Sequence, residues 1–356
     1  MKKALLVLLA LIVSLCAACS YVGGDGGGPS VDGNLRVTFI DVGQGDSALV
    51  ISPSGKTMLI DCGEETAEDA VQQALRQNGV TKIDVLVGTH PHSDHIGSMS
   101  YLVDDYEIGK VYLPQASSNT KTYERLLTSI QEKGLKVSVA KAGVEIPFDE
   151  QVSAVFVGPC GSEYGDLNDA SAVLRLEFGG TSFLFTGDAE ASAEEDILAQ
   201  YGDDLQSDVL KAGHHGSRTS SSQEFLEAVQ PQYVIISCGE GNDYGHPHAE
   251  ALQRFEQIGA QVYRTDLLGS IEIISDGATL SVNGEAGSTV APSSAPSVSA
   301  ASSASPVATD AVVYRTKSGK AYHVQGCPHI ADSDVSAITV QEAQAQGLTP
   351  CKTCME

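Results

Sequence analysis

Two spacings of apolar residues alternate through most of this chain. Apolar runs with strand-like character occur at LRVTFIDVG (35–43), SALVISP (47–53), KTMLIDCG (56–63) and KIDVLVGTH (82–90). Further along, SAVFVGP (153–159), SAVLRLEFGGTSFLFTGD (171–188), SDVLKAGHHG (207–216) and YVIISCG (233–239) read the same way, as do QVYRTD (261–266) and SIEIISDGATLSV (270–282). Between them, AEDAVQQALRQNG (67–79), YERLLTSIQEKG (123–134), SAEEDILAQYG (192–202), SQEFLEAVQ (222–230) and EALQRFEQIG (250–259) carry helical spacing, most with a glycine stop. Strands alternating with helices predict a layered α/β fold over residues 34–285.

That pattern stops on both sides. Residues 286–310 are Ala, Ser and Pro without core-forming spacing and read as a linker to a small module at 311–356. At the other end, MKKALLVLLALIVSLCAACS has two lysines, an apolar run too short to span a bilayer, and small residues before Cys19. Its CAAC, closing the lipoprotein-type signal segment 1–19, resembles a lipoprotein box in which Cys19 is acylated after cleavage, with the Gly-rich 20–33 as a tether. The expected location is the outer face of a bacterial cytoplasmic membrane; an ordinary cleaved signal, and a secreted protein, is the plainer alternative.

Charge narrows the function. The 356 residues carry 46 acidic against 21 basic side chains, a formal charge of −25. Such a surface repels phosphate backbones at long range, so any nucleic-acid substrate must be held by a local site or by metal ions. Cys62, Cys160 and Cys238 are scattered through the main domain and are expected to be mostly buried thiols.

Chemistry concentrates in THPHSDHIGS (89–98), where His90, His92, Asp94 and His95 follow a strand. Four ligand-type side chains in six positions have no packing purpose, and imidazole with carboxylate suits Zn, Mn or Fe. Asp188 ends the strand FLFTGD, and His214 with His215 ends another.

This set resembles the metallo-β-lactamase-fold hydrolases. The resemblance implies an αββα sandwich with its site at the edge of two sheets and one or two divalent cations, Zn or Mn. Asp61 corresponds to the strand-end aspartate that orients the histidine loop. His90, His92, Asp94 and His95 form the second motif, Asp188 is the aspartate bridging both metals, and His214 is the last histidine ligand, with His215 as fallback. The family's further histidine, between the second motif and the bridging aspartate, is missing, because no histidine lies between His95 and His214. Asn168 or Asp169 is the candidate oxygen ligand in its place, which would favour Mn over Zn.

Five motifs in order narrow the resemblance to the C-terminal hydrolase domain of ComEC-type competence proteins, regarded as a nuclease. They are VTFIDVGQGDSALV, THPHSDHIGS, LNDASAVLRLEFGGTSFLFTGDAE, VLKAGHHGSRTSSSQEFL, and YGHPHAEAL followed by VYRTDLLGSI. Candidate substrate-binding residues are Gln44 and Asp46 in the Gly-rich turn, His215, Arg218 in the Ser217–Thr219 loop, and His246. His248 is the candidate for protonating a leaving group. Ser222 is expected to cap the helix that follows it. The implied mechanism is metal-assisted hydrolysis with Asp94 or Asp188 orienting the water.

In the tail, His323, Cys327, Cys351 and Cys354 are candidate ligands of a structural zinc in a module too small to be comfortable without one. It resembles a small Ada-type metal-binding domain; one disulfide with a free thiol is the alternative. The reading is an extracellular, membrane-anchored metal-dependent phosphodiesterase, a nuclease acting on DNA. A hydrolase of a small phosphocholine ester, lactone or thioester, or a non-catalytic binding lipoprotein, are its rivals.

Overall fold

The structure is a computed structural model. It describes residues 28–29, 31–161, 164–283 and 285–286, and in the C-terminal part 312–316, 321–323, 335–339, 343 and 348–350. The signal with Cys19, most of the linker, and Cys327, Cys351 and Cys354 lie outside the described residues. The chain divides into two compact units, Met1–Ser293 and Ser294–Glu356.

The first unit opens with β1 (Leu35–Phe39), β2 (Ala48–Ile51), β3 (Thr57–Ile60), α1 (Glu68–Gln77) and β4 (Lys82–Val87). Next come α2 (Ser93–Ile96), α3 (Met99–Asp105), β5 (Glu107–Leu113), α4 (Lys121–Glu132) and β6 (Val137–Val139). The second half contains β7 (Val152–Phe156), β8 (Leu174–Phe178), β9 (Thr181–Phe185), α5 (Ala191–Tyr201) and β10 (Val209–Lys211). It closes with α6 (Gln223–Val229), β11 (Tyr233–Ile236), α7 (Ala249–Gln257), β12 (Gln261–Arg264), α8 (Thr265–Leu268), β13 (Ile271–Ser275), β14 (Leu280–Val282) and β15 (Glu285–Ala286).

The strands form two sheets, of order β15-β14-β13-β1-β2-β3-β4-β5-β6 and β12-β11-β10-β9-β8-β7. Each is part antiparallel and part parallel. In the first, β13 through β3 run antiparallel and β3 to β6 parallel. In the second, β7 to β9 are antiparallel and β9 to β12 parallel. Parallel neighbours need helical crossovers, which puts helices on the outer faces.

Strand residues alternate between two cores, as the pleat requires. Val37, Phe39, Val50, Met58 and Val87 face Phe156, Leu176, Phe183, Phe185 and Ile235 between the sheets, and Phe39 and Phe185 stack at 5.7 Å. Leu49, Leu59 and Leu86 pack outward on Val71, Leu75, Leu102 and Leu126 of α1, α3 and α4. Leu184, Leu210, Val234 and Ile236 pack on Ile197, Phe225, Leu226 and Phe255 of α5, α6 and α7. The layers are therefore α, β, β, α, as the resemblance implied.

The hydrophobic pattern did not reveal α2, α3 and β5. The first two are one and two turns long, and β5 buries only Ile108 and its last three residues. The stretch read as one strand at 207–216 is a strand for three residues only; Gly213–Gly216 leaves it as a 3-10 turn. Cys62 and Cys238 are fully buried thiols and Cys160 is half-buried. No helix among the described residues is long and apolar enough to cross a membrane.

The second unit has a four-stranded sheet of β16 (Val312–Thr316), β17 (Ala321–His323), β18 (Val335–Thr339) and β19 (Thr349–Pro350), in the order β18-β16-β17-β19. Tyr322 and Ala343 are buried with Ile338 and Leu348 packed on them, and His323 is buried on β17.

Candidate metal centre

The site grows from the C-terminal ends of parallel strands, where an α/β sheet leaves its crevice. Asp61 follows β3, the histidine loop follows β4, Asp188 follows β9, His214 and His215 follow β10, and His246 and His248 lie on the loop after β11. Asp61 has φ +57 and faces the loop beyond β4. Its carboxylate accepts Thr89 N at 2.8 Å, Thr89 Oγ1 at 2.7 Å and His95 Nδ1 at 2.8 Å. His95 Nδ1 thus bears the proton, and Nε2 turns to Asp188 Oδ1 at 3.2 Å.

The histidine loop folds as the short α2 with His92 at its N-cap position. Its carbonyls are held from two sides, His95 O by Cys62 N at 2.7 Å and Asp94 O by Asp46 N at 3.0 Å. Gly45 permits the second contact. Its φ is +145, and a Cβ there would sit 2.4 Å from Asp94 O.

His214 and His215 both adopt left-handed backbone, with φ of +47 and +54. This uncommon pair turns two consecutive imidazoles into the site. His215 Nδ1 donates to Ser237 O at 3.0 Å, and Nε2 faces Asp94 Oδ2 at 3.2 Å and Asp188 Oδ2 at 3.5 Å. His214 Nδ1 is taken by Glu190 Oε1 at 2.7 Å, which leaves its Nε2 3.8 Å from Asp188 Oδ2. His90 Nε2 lies 3.9 Å from the same oxygen and 3.0 Å from His92 Nδ1. Asp188 is therefore surrounded by the imidazoles of His90, His95, His214 and His215. Ring contacts of 4.2 to 6.0 Å join all seven histidines of the first unit, from His92 through His90, His95, His215 and His214 to His246 and His248.

The donor set fits a divalent cation. Ligand atoms of Asp94, His95, Asp188 and His215 all lie within 4.8 Å of one another. His95 Nε2 and Asp188 Oδ1 are fully buried and neither makes a well-formed hydrogen bond. Of the consecutive pair it is His215 that joins His95 in this tetrad; His214 Nε2 approaches the same Asp188 Oδ2 from 3.8 Å.

Charge is dense here. Burial pushes the Asp188 carboxyl up, but His215 and His95 outweigh it and hold it well below the usual carboxylate range. Asp94 is lowered against its own burial by His95 and His215. Burial would discharge His95 and His215, yet Asp188 with Asp94 and Asp61 for one, and Asp188 with Asp46 for the other, raise both well above the histidine value. His90 is pushed well below it by burial and by His95. Burial, then His215 and His214, bring His246 down to about 4, so it is neutral at pH 7.

Several of the remaining candidates hold the scaffold. Gln44 Oε1 accepts Gly239 N at 3.1 Å and ties the Gly-rich turn to the loop after β11. Asp46 is buried, pairs with Lys211, and meets His215 Nδ1 at 3.2 Å. Arg218 is exposed beside Glu250 at 3.5 Å, and its backbone N–H donates to His248 Nδ1 at 3.0 Å. Asn168 is buried with an unpartnered Oδ1. Asp169 instead accepts Glu190 N at 3.1 Å and Ala193 N at 3.2 Å at the start of α5. Ser222 caps α6 by accepting Phe225 N at 3.3 Å, as expected.

Sequence reasoning missed Lys211, Glu190 and Ser171. Lys211 is a charge inside the otherwise apolar VLK strand, which in a fully buried strand demands a partner. Glu190 holds His214, and Ser171 Oγ lies 3.4 Å from His90 Nδ1. Neither carries a signal of its own.

The Metallo-beta-lactamase superfamily matches residues 40–240. The chain is 31% identical over 261 residues to ComE operon protein 3 of Bacillus subtilis (strain 168), covering 68% of this chain and 33% of the relative. It is 34% identical over 242 residues to Competence protein ComA of Neisseria gonorrhoeae, covering 68% and 32%. Ribonuclease Z of Archaeoglobus fulgidus is 26% identical over 136 residues, 36% of this chain and 40% of that one. The chain spans about a third of the length of the two competence relatives. On fold, site geometry and these matches, the chain belongs to the metallo-β-lactamase superfamily, in the branch of the ComEC-type competence proteins.

Proposed function

We propose that this chain is an exported, lipid-anchored, metal-dependent phosphodiesterase whose substrate is DNA. The observation that carries the hydrolytic part is the crowding of four imidazoles and Asp94 around the buried Asp188 carboxylate, with ligand atoms left unpartnered. The nucleic-acid part is supported by relatives named as competence proteins and a ribonuclease. Asp94, His95, Asp188 and His215 would hold one cation; His90 and His92, with Asp188, would hold a second. A divalent cation, Mn or Zn, supplies charge for the phosphoryl oxygens and lowers the pKa of the attacking water.

The chain's own groups do the rest. Asp61 and Ser237 O fix the tautomers of His95 and His215, and Glu190 fixes that of His214. Asp94 and Asp188 orient the water from the two sides of the tetrad. Behind His214 stand His246, which being neutral would bind substrate by hydrogen bonding, and His248, which would be the proton donor to the leaving oxygen. In the C-terminal unit, His323 with Cys327, Cys351 and Cys354 would hold a structural zinc.

The experiment strips the purified protein of metal, reloads it with Mn or Zn, and supplies single-stranded DNA, plasmid DNA and bis(p-nitrophenyl) phosphate. An Asp94→Ala variant is the control. Metal-dependent DNA cleavage absent from the control supports the nuclease; no cleavage of any phosphodiester by metal-loaded protein sinks it. The charge of −25 favours a second reading, a small phosphoester, and cleavage of the generic ester with DNA untouched would select it.

A further inference from the structure

At the mouth of the site stands Tyr244, 66% exposed and the most exposed large apolar side chain among the described residues. A lone exposed aromatic is ordinary, but this one is held in place. Its loop is pinned at the base by Gln44 Oε1, which accepts Gly239 N at 3.1 Å. Asn242 ties the loop across itself, donating to Gly239 O at 2.9 Å and His246 O at 2.7 Å and accepting His246 N at 2.9 Å. The Tyr244 ring lies on that of His246, centroids 5.7 Å apart and planes within 21°. His246 is 5.4 Å from His214, whose Nε2 faces Asp188. A ladder of rings thus runs from solvent to the bridging aspartate, and the outer face of Tyr244 is open.

The charges around it say what that face can take. From Gly213 to Glu250 the chain has one basic residue, Arg218, and Glu250 stands 3.5 Å from it. Glu240 and Asp243 flank Tyr244 in the same loop. This rim repels a phosphate backbone, whereas carboxylates accept hydrogen bonds from the exocyclic amines of bases. Stacking on a tyrosine is tolerant of base identity because every base has a π-face.

We infer that Tyr244 is a stacking platform for an unpaired base next to the reacting phosphate, which makes a single strand or frayed end the preferred substrate. The inference rests on the nuclease reading. A duplex keeps its base faces stacked internally, so only an unpaired base can lie on Tyr244.

The test compares wild type, Tyr244→Ala and Tyr244→Phe, all full-length and Mn-loaded, on a single-stranded oligonucleotide and on an abasic oligonucleotide of equal length. The expected result is a KM about 5- to 100-fold higher for Tyr244→Ala on the base-bearing strand, with kcat unchanged and Tyr244→Phe like wild type. On the abasic strand all three should behave alike. Equal KM for wild type and Tyr244→Ala on the base-bearing strand, or an equal loss on both strands, overturns the platform while leaving the nuclease standing. Failure of the wild type to cleave either strand, with or without turnover of a phosphocholine ester, overturns the nuclease reading and the platform with it.

Discussion

Lys211 and Asp46 face each other in the interior, with side chains 4% and 8% exposed. Removing Lys211 leaves the buried Asp46 with only the imidazoles of His215, at 3.2 Å, and His95, at 3.8 Å, so the cost lies near the lower end of the about 3–5 kcal/mol of a broken buried pair. Lys211→Met should therefore lower the unfolding free energy by about that amount, and adding Asp46→Asn should recover most of it. Denaturant titrations of the single and double variants check this; a double variant no more stable than Lys211→Met would show that the lost charge pair is not the cause. His95 and His215 set a second expectation. Their pKa values are raised, so their ion pairs stabilise the metal-free fold below the ordinary histidine value and fade as pH climbs through the raised ones. A cation needs the same nitrogen lone pairs, so binding must expel protons at pH 7 and affinity must rise with pH. Calorimetry in two buffers of different ionisation enthalpy reads this directly, and Mn binding heats independent of buffer would refute it. The residue scale also shows where sequence reasoning ends. Four ligand-type side chains crowded into residues 90–95 were legible, as was Asp188 at a strand end. Which of His214 and His215 joins the Asp94 tetrad was not, because two left-handed residues in succession decide it. Lys211 was missed because its partner lies 165 positions away in the chain.

Elements position these groups through loops that touch each other more than they touch solvent. The Gly-rich turn after β1 is the keystone, since Asp46 N reaches Asp94 O at 3.0 Å and Gly63 N reaches Asp46 O at 2.8 Å. Gly45→Ala would place a Cβ 2.4 Å from the Asp94 carbonyl in a backbone conformation side chains avoid. The expected outcome is a folded protein whose Mn affinity falls about 10- to 100-fold, as for other changes to the support of metal ligands. Circular dichroism beside Mn titration by electron paramagnetic resonance tests it, and unchanged affinity would mean that this turn does not set the position of Asp94. The helices with strong apolar spacing, α1, α4 and α7, were legible because each covers a sheet with one face. The short α2 and α3 were not, since at four and seven residues they are too short to display a helical repeat, even though α3 buries Met99, Ser100, Leu102 and Val103.

The whole molecule sets acidity against a polyanionic substrate. An ordinary single-strand binder neutralises phosphates with lysine and arginine, and its affinity falls steeply with salt, with a slope of about −0.7 per phosphate. Here 46 acidic side chains stand against 21 basic ones; near the mouth Arg218 lies beside Glu250, and Arg254 donates to the carbonyls of Arg218, Ser220 and Ser221. Attraction must come from the metal centre and from Tyr244, neither of which releases many counterions from the strand. Long-range repulsion, meanwhile, is itself screened by salt. The two effects oppose each other, so KM for single-stranded DNA should change less than about tenfold between roughly 50 and 200 mM salt. Kinetics across that range at fixed Mn make the check, and a steep rise in KM would show that lysines and arginines neutralise several phosphates and overturn this account. A tether adds what the field withholds. If Cys19 carries a lipid, the hydrolase is confined to a thin layer at the membrane, and incoming strands are met by proximity rather than by charge. Cys19→Ser should move the protein from the membrane fraction to the soluble one and leave cleavage by the purified enzyme unchanged. Retention in the membrane fraction would assign the anchoring to another part of the chain.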